Sequence, residues 1–139
     1  MANEKIAGCG FHHVALQTSD FEKSLAFYTE GLGFRLRAKW TADSGKQLAL
    51  IDIGDGNYFE LFSDGEKGSE EAPKAGSFFH LALRVQDTRA AFARAVAHGG
   101  IAHVEPKDAR LGEHKEISAS LSFVKGPDGE QIEFFEEHV

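Results

Sequence analysis

The chain contains its own pattern twice, and that constrains its fold more than any other feature. FHHVALQTSDFEKSLAFYTEGLGF (residues 11–34) matches FFHLALRVQDTRAAFARAVAHGGI (residues 78–101) at a constant offset of 67. Phe11, His13, Ala15, Leu16, Asp20 and Gly33 align with Phe78, His80, Ala82, Leu83, Asp87 and Gly100. A second pair lies downstream: DGNYFE (55–60) and DGEQIE (128–133) each read Asp-Gly, three residues, then Glu, at an offset of 73. Two paired similarities in the same order indicate an internal duplication. The period is too long, and the copies too few, for a solenoid.

Each half reads β-α-β-β-β. HHVALQT alternates and is β-rich, so it is a strand. Asp20 stands where an N-cap would, and FEKSLAFYTEGLG carries apolar residues at Phe21, Leu25, Tyr28 and Leu32, the stripe of a helix ended by Gly31 and Gly33. FRLRAKWT, KQLALIDIG and NYFELFS follow as strands. In the second half FFHLALRV is a strand, Asp87 is the cap, TRAAFARAVAHGG is a helix, and IAHVEP, SASLSFVKG and EQIEFFEE are strands. Residues 63–77 read as the connector between halves, and 107–116 as a polar, mobile flap. Trp40 and the Phe residues read mostly as core. The expected organisation is one domain over 1–139, with module 1 at about 11–65 and module 2 at about 78–137.

Bulk properties exclude several functions. The net charge of −7 leaves no basic stripe for tracking phosphates, so no nucleic acid is expected. No apolar run is long enough to span a bilayer, so no membrane is expected. The start, MANEKIAGCG, lacks the apolar segment of a signal peptide, which points to the cytoplasm. With Cys9 as the single cysteine, neither an intrachain disulfide nor a thiolate metal cluster is available.

The residues that carry chemistry are the duplicated ones. Carboxylates are rarely buried unpaired, yet Glu60 and Glu133 stand inside apolar strands. Strand parity puts His13, Ala15 and Gln17 on one face, and His80, Ala82 and Arg84 on another, with a small residue beside each His. Two histidines and two glutamates at duplicated positions form a candidate site for a divalent metal: nickel, zinc, cobalt, manganese or iron(II). Taken singly, each has a blander reading, a hydrogen-bonded His or a solvent-facing Glu. His12 competes with His13 as its neighbour. His98, His103, His114 and His138 have no repeat partner and read as surface residues.

These residues together resemble the vicinal oxygen chelate superfamily, which includes glyoxalase I, bleomycin-resistance proteins, extradiol dioxygenases, methylmalonyl-CoA epimerase and fosfomycin-resistance enzymes. HHVALQTSDFEKSLAFYTEGLGFRL is similar to the family's opening strand and helix, and SFVKGPDGEQIEFFE to its closing signature. The resemblance implies an α+β fold of two tandem βαβββ modules forming a half-open barrel around a metal site, paired in a homodimer. It implies His13, Glu60, His80 and Glu133 as metal ligands, with one divalent ion per site, nickel or zinc foremost. It also implies that the sites lie at the dimer interface.

The ligand set is similar to that of bacterial glyoxalase I. Dioxygenases and fosfomycin-resistance enzymes leave the Glu60 position without a ligand, bleomycin-binding members lack the ligands, and the epimerase usually has Gln there. The implied reaction is that of a lyase or isomerase acting on a small oxo-substrate: proton transfer alpha to a carbonyl through a metal-bound enediolate. Glu133 is the implied base, and Glu60 its symmetry-related alternative. The alternatives are a metal-free small-molecule-binding resistance protein, or an epimerase-like or extradiol dioxygenase-like enzyme.

One departure bears on the substrate. Glyoxalase I enzymes commonly carry Arg four residues after the first His and Asn four after the first Glu. Here these are Gln17 and Asp64, and an acid repels a glutathione carboxylate, which speaks against glutathione dependence. Arg84, at the position equivalent to Gln17, is a candidate anchor for an anionic substrate, or a partner for a structural carboxylate.

Overall fold

The computed structural model describes residues 3–5, 7, 11–66, 75, 78–111 and 114–139. Each half builds its own four-stranded sheet. In the first, β1 (His13–Gln17), β2 (Arg35–Thr41), β3 (Gln47–Gly54) and β4 (Asn57–Phe62) lie in the order β1-β4-β3-β2. In the second, β5 (His80–Arg84), β6 (Ile101–Leu111), β7 (Ile117–Lys125) and β8 (Gln131–Glu137) lie in the order β5-β8-β7-β6. The first strand of each half runs parallel to the last, and the other pairs are antiparallel. Parallel neighbours need a long crossover, which each half supplies with its helix and two middle strands. The expected α+β class and β-α-β-β-β order are both observed.

The helices are α1 (Phe21–Ala26) and α2 (Thr88–Ala97). Asp20 and Asp87 cap them as their positions suggest, accepting the N–H of Lys23 at 3.1 Å and of Ala90 at 2.9 Å; such a cap contributes about 1 kcal/mol. The first helix does not continue as α to Gly31. From Phe27 to Gly31 it widens into a π-turn, with Leu32 N–H bonding the Phe27 carbonyl at 3.0 Å. The Thr29 hydroxyl donates to the Leu25 carbonyl at 2.6 Å, a local competitor for the α ladder. Tyr28 in this turn is fully buried, edge-on to Phe27 and Phe59 and stacked on Phe34.

Alternation sends one face of each sheet to the core. Ala49, Ile51, Phe59 and Leu61 pack with Phe21 and Leu25, and Val124, Ile132 and Phe134 belong to the same cluster as Phe92 and Ala95 of α2. Trp40 departs from the core expectation at 42 % exposed, because every residue of β2 is exposed. The expected flap at 107–116 is corrected in part. Lys107–Leu111 continue β6, laddered against β7 from Lys107↔Leu121 to Leu111↔Ile117. A hairpin arm needs backbone pairing more than apolar side chains, so polarity alone misread it. Residues 112 and 113, and most of the expected connector (67–74, 76 and 77), lie outside the described residues.

The halves meet through helices and turns rather than a shared sheet. Arg94 donates to the carbonyls of Gly31 at 2.7 Å and Glu30 at 3.2 Å. Asp128 accepts both the N–H and the hydroxyl of Ser19. The two Asp-Gly pairs have therefore diverged. Asp55 and Gly56 both take positive φ, 57° and 74°, as a two-residue hairpin turn requires. At the second pair only Gly129 does, and its Asp128 serves the joint.

Glu130, in that second turn, interacts with Tyr28, and Tyr28 Oη and Glu130 Oε2 are buried without a hydrogen-bond partner among the described residues. Burial raises the Glu130 carboxyl above its ordinary range, against the Asp128 N–H that lowers it. The native state thus holds this proton more tightly than the unfolded chain. Stability from this group is fully present below the unfolded value and is lost as pH rises through the folded one. Glu130→Gln is expected to raise the melting temperature at neutral pH by roughly 4 °C per kcal/mol recovered. The gain should vanish in acid, so a gap between variant and wild type that is constant with pH would contradict this.

Candidate functional site

Directly paired residues share a sheet face, so the face turned away from the helix can be read in rows. In the first sheet they are His13–Tyr58–Asp52–Arg35, Ala15–Glu60–Leu50–Ala38 and Gln17–Phe62–Leu48–Trp40. In the second they are His80–Gln131–Lys125–Ile101, Ala82–Glu133–Phe123–Val104 and Arg84–Phe135–Leu121–Lys107. The duplication holds row by row. A His opens the first row, and a Glu stands beside a small Ala in the second.

Each His meets the Glu of its own half. His13 Nε2 lies 3.9 Å from Glu60 Oε1, and His80 Nε2 lies 3.3 Å from Glu133 Oε2. Glu133 is the more buried carboxylate, its side chain 10 % exposed against 18 % for Glu60. Burial raises the Glu133 carboxyl above its ordinary value, and His80 partly offsets this.

The sequence did not reveal what orients the rings. His13 Nδ1 is 3.0 Å from His12 Nδ1. One proton satisfies that contact. Carried on His13, it leaves Nε2 with a free lone pair facing Glu60. The neighbour treated as a competitor thus touches the His13 ring, and the His12 ring leans over Tyr58 at 5.3 Å. The His80 ring sits edge-on to Phe79 at 4.6 Å and to Phe123 at 5.5 Å.

Among the described residues, no three or more His, Cys, Asp or Glu gather as a group able to hold a metal ion. One chain brings the four candidates together two by two, on separate sheets. The donor types still fit a borderline or hard divalent ion. Glu133 is a buried carboxylate whose charge is offset, among the described residues, by His80, and it is the kind of group a cation satisfies.

Arg84 stands on the His80–Glu133 face, exposed and without an ion pair or side-chain hydrogen bond among the described residues. A structural carboxylate partner is therefore not found for it. Asp64 pairs with Lys46 at 2.9 Å, which lowers its carboxyl and offsets its charge. His98, His103, His114 and His138 are exposed, as expected. His138 nonetheless contacts the hydroxyls of Ser118 at 3.1 Å and Ser120 at 2.9 Å. A concavity of about 660 Å³ opens at the start of α1, and none of the four candidate ligands lines it. No helix among the described residues is long and apolar enough to cross a membrane.

Comparison with known proteins bears on the family and the fold. The family model of the Glyoxalase/Bleomycin resistance protein/Dioxygenase superfamily matches residues 10–134. A probable lactoylglutathione lyase of Vibrio cholerae is 31% identical over 140 residues, covering 98% of this chain and 93% of that protein. A lactoylglutathione lyase of Neisseria meningitidis is 30% identical over 129 residues, covering 90% and 88%. A crystal structure of a glyoxalase I variant from Zea mays superimposes with a TM-score of 0.71 at 21% identity, over 91% of this chain. The chain spans 44% of that maize chain, and the likeness speaks for the fold.

Proposed function

Because the chain belongs to the Glyoxalase/Bleomycin resistance protein/Dioxygenase superfamily, we propose that it is a metal-dependent lyase or isomerase of the glyoxalase I type, moving a proton alpha to a carbonyl in a small oxo-substrate. The observation that carries this reading is the pair of His–Glu couples in equivalent rows, His13 with Glu60 and His80 with Glu133. A superfamily member with only three ligands would not need a carboxylate at Glu60. The relatives named lactoylglutathione lyase favour the same reaction class.

The couples lie on different sheets, so the reading requires a homodimer in which the first module of one protomer faces the second module of its partner. Exposed apolar residues support such a cover: Phe11 is 82 %, Phe79 67 % and Ile101 63 % exposed, and Phe78 is fully so. The imidazoles and carboxylates of both couples would hold one divalent ion, which supplies positive charge where oxygen becomes negative. Glu133 takes the proton from the carbon next to the carbonyl and returns it to the neighbouring carbon, within hydrogen-bond reach of both. Ala15 and Ala82 leave room beside the carboxylates. Phe79 and Phe123 flank the His80 ring.

The test is metal analysis joined to assay. Purified protein should bind about one nickel or zinc ion per chain and lose it on His80→Ala. The loaded protein should convert methylglyoxal adducts, measured with and without glutathione. Substoichiometric metal together with no turnover would instead favour a metal-free binding protein. Oxygen consumption with iron or manganese would favour a dioxygenase.

A further inference from the structure

The other face of the second sheet, turned toward α2, carries a polar cluster that the His–Glu couples do not use. Register places Asp108, Ser120 and Glu136 in one row across β6, β7 and β8. Arg110 and Ser118 pair in the next row, and the His138 N–H closes it on the Ser118 carbonyl at 2.8 Å. Counting protons fixes the direction of the side-chain bonds. Ser120 donates its one hydroxyl proton to Asp108 Oδ1 at 2.6 Å, which holds that carboxyl below its ordinary value. The 2.9 Å contact between Ser120 Oγ and His138 Nε2 is then an N–H donation from the imidazole. A neutral His138 protonated at Nε2 presents Nδ1 as an acceptor, and Ser118 Oγ lies 3.1 Å from it. Glu136 adds a second carboxylate, its Oε1 3.8 Å from His138 Nε2 and its Oε2 held by the Thr88 N–H at 2.9 Å.

We infer that Ser118 is an acyl-accepting nucleophile in a second site, which hydrolyses short-chain esters independently of the His–Glu couples. A hydroxyl bonded to a base that a third group orients is the arrangement that activates a serine. Here Asp108 does the orienting through Ser120, so both are positioning residues, while Ser118 and His138 carry the chemistry. A concavity of about 310 Å³ lined by Asp108, Ala109, Arg110, Ser118 and His138 gives room for a small acyl group. Ser118 Oγ bonds to the ester carbonyl carbon, and its proton passes to His138 Nδ1. The carbonyl oxygen takes the electron pair of its double bond. Arg110, exposed and without an ion pair or side-chain hydrogen bond among the described residues, is the cation beside that oxygen. The imidazolium is stabilised by Asp108 through Ser120 and by Glu136. Collapse breaks the bond to the leaving alcohol, which takes the proton from His138. Water, giving a proton to the same nitrogen, then cleaves the acyl-Ser118 to the free acid and restores the hydroxyl.

The experiment uses the full chain stripped of metal, so that neither a bound ion nor the lyase reading bears on the outcome. With p-nitrophenyl acetate its kcat/KM should exceed the rate constant of free 4-methylimidazole at least about a hundredfold. Diisopropyl fluorophosphate should label the wild-type protein once, and peptide mass spectrometry should place the label on Ser118. Ser118→Ala should abolish the label and lower kcat/KM at least about tenfold, and His138→Gln should lower it as far. Asp108→Asn should lower kcat with KM unchanged, the split expected when the base is misoriented and the acyl pocket is intact. The label is read on the unaltered chain, so a variant that folds poorly does not decide the question. Hydrolysis no faster than the imidazole control, a label on any other residue, or turnover that survives in folded Ser118→Ala overturns the inference.

Discussion

Co-expressed His13→Ala and His80→Ala subunits are expected to regain activity that neither variant has alone. In a dimer built with shared sites, every site of a His13→Ala homodimer lacks one imidazole, and every site of a His80→Ala homodimer lacks the other. A mixed dimer carries one intact site and one doubly damaged site. With random pairing half the dimers are mixed, so recovery should approach about a quarter of wild type. The expectation follows from the separation of the couples: His13 and Glu60 belong to β1 and β4, His80 and Glu133 to β5 and β8, and those are two sheets. Activity assays on tagged, purified mixed dimers, which should reach about half of wild type, decide it. No recovery would place a complete site within one chain and remove the reason for a dimer, and full activity in either single variant would remove that histidine from the site.

Glu133→Gln should cost about 10³-fold or more in kcat, in the range attributed to a positioned base acting with charge stabilisation. Burial makes Glu133 a stronger base than an ordinary carboxylate by pushing its carboxyl up. The amide fills the same space between Ala82 and Phe123 but cannot accept the proton. The substitution should also weaken metal retention, so the assay is run with excess nickel or zinc to refill the site. Turnover that stays lost marks a missing base. Turnover that recovers to within about tenfold would assign the proton transfer elsewhere, with Glu60 as the counterpart in the other module.

Much of this was legible in the residues because the duplication supplied its own control. The Asp20 and Asp87 caps, the β-α-β-β-β order and the duplicated His and Glu positions followed from matching one half to the other and from strand parity. What escaped depends on three-dimensional neighbours. The π-turn at Phe27–Gly31 involves a Thr29 hydroxyl bonding one turn back, which apolar spacing does not encode. Lys107–Leu111 pair as strand because the partner arm lies beside them, although their polarity reads as loop. Lys46 reaches Asp64 across the β3–β4 pair, so a charge that looked repulsive is offset. Trp40 looked like core by type, but it lies on the sheet face turned away from α1. Sequence also could not say that one chain holds the ligands in twos.

The contacts joining Ser19 to Asp128 and Arg94 to the Gly31 and Glu30 carbonyls are polar and involve none of the proposed ligands. They help fix the angle between two platforms, each of which carries half of what the chemistry needs. In a twofold assembly any change at that hinge is applied twice, once per copy, and re-aims both reaction centres together. Evolution, or an engineer, could thereby retune metal preference or substrate reach without altering a single residue that touches either.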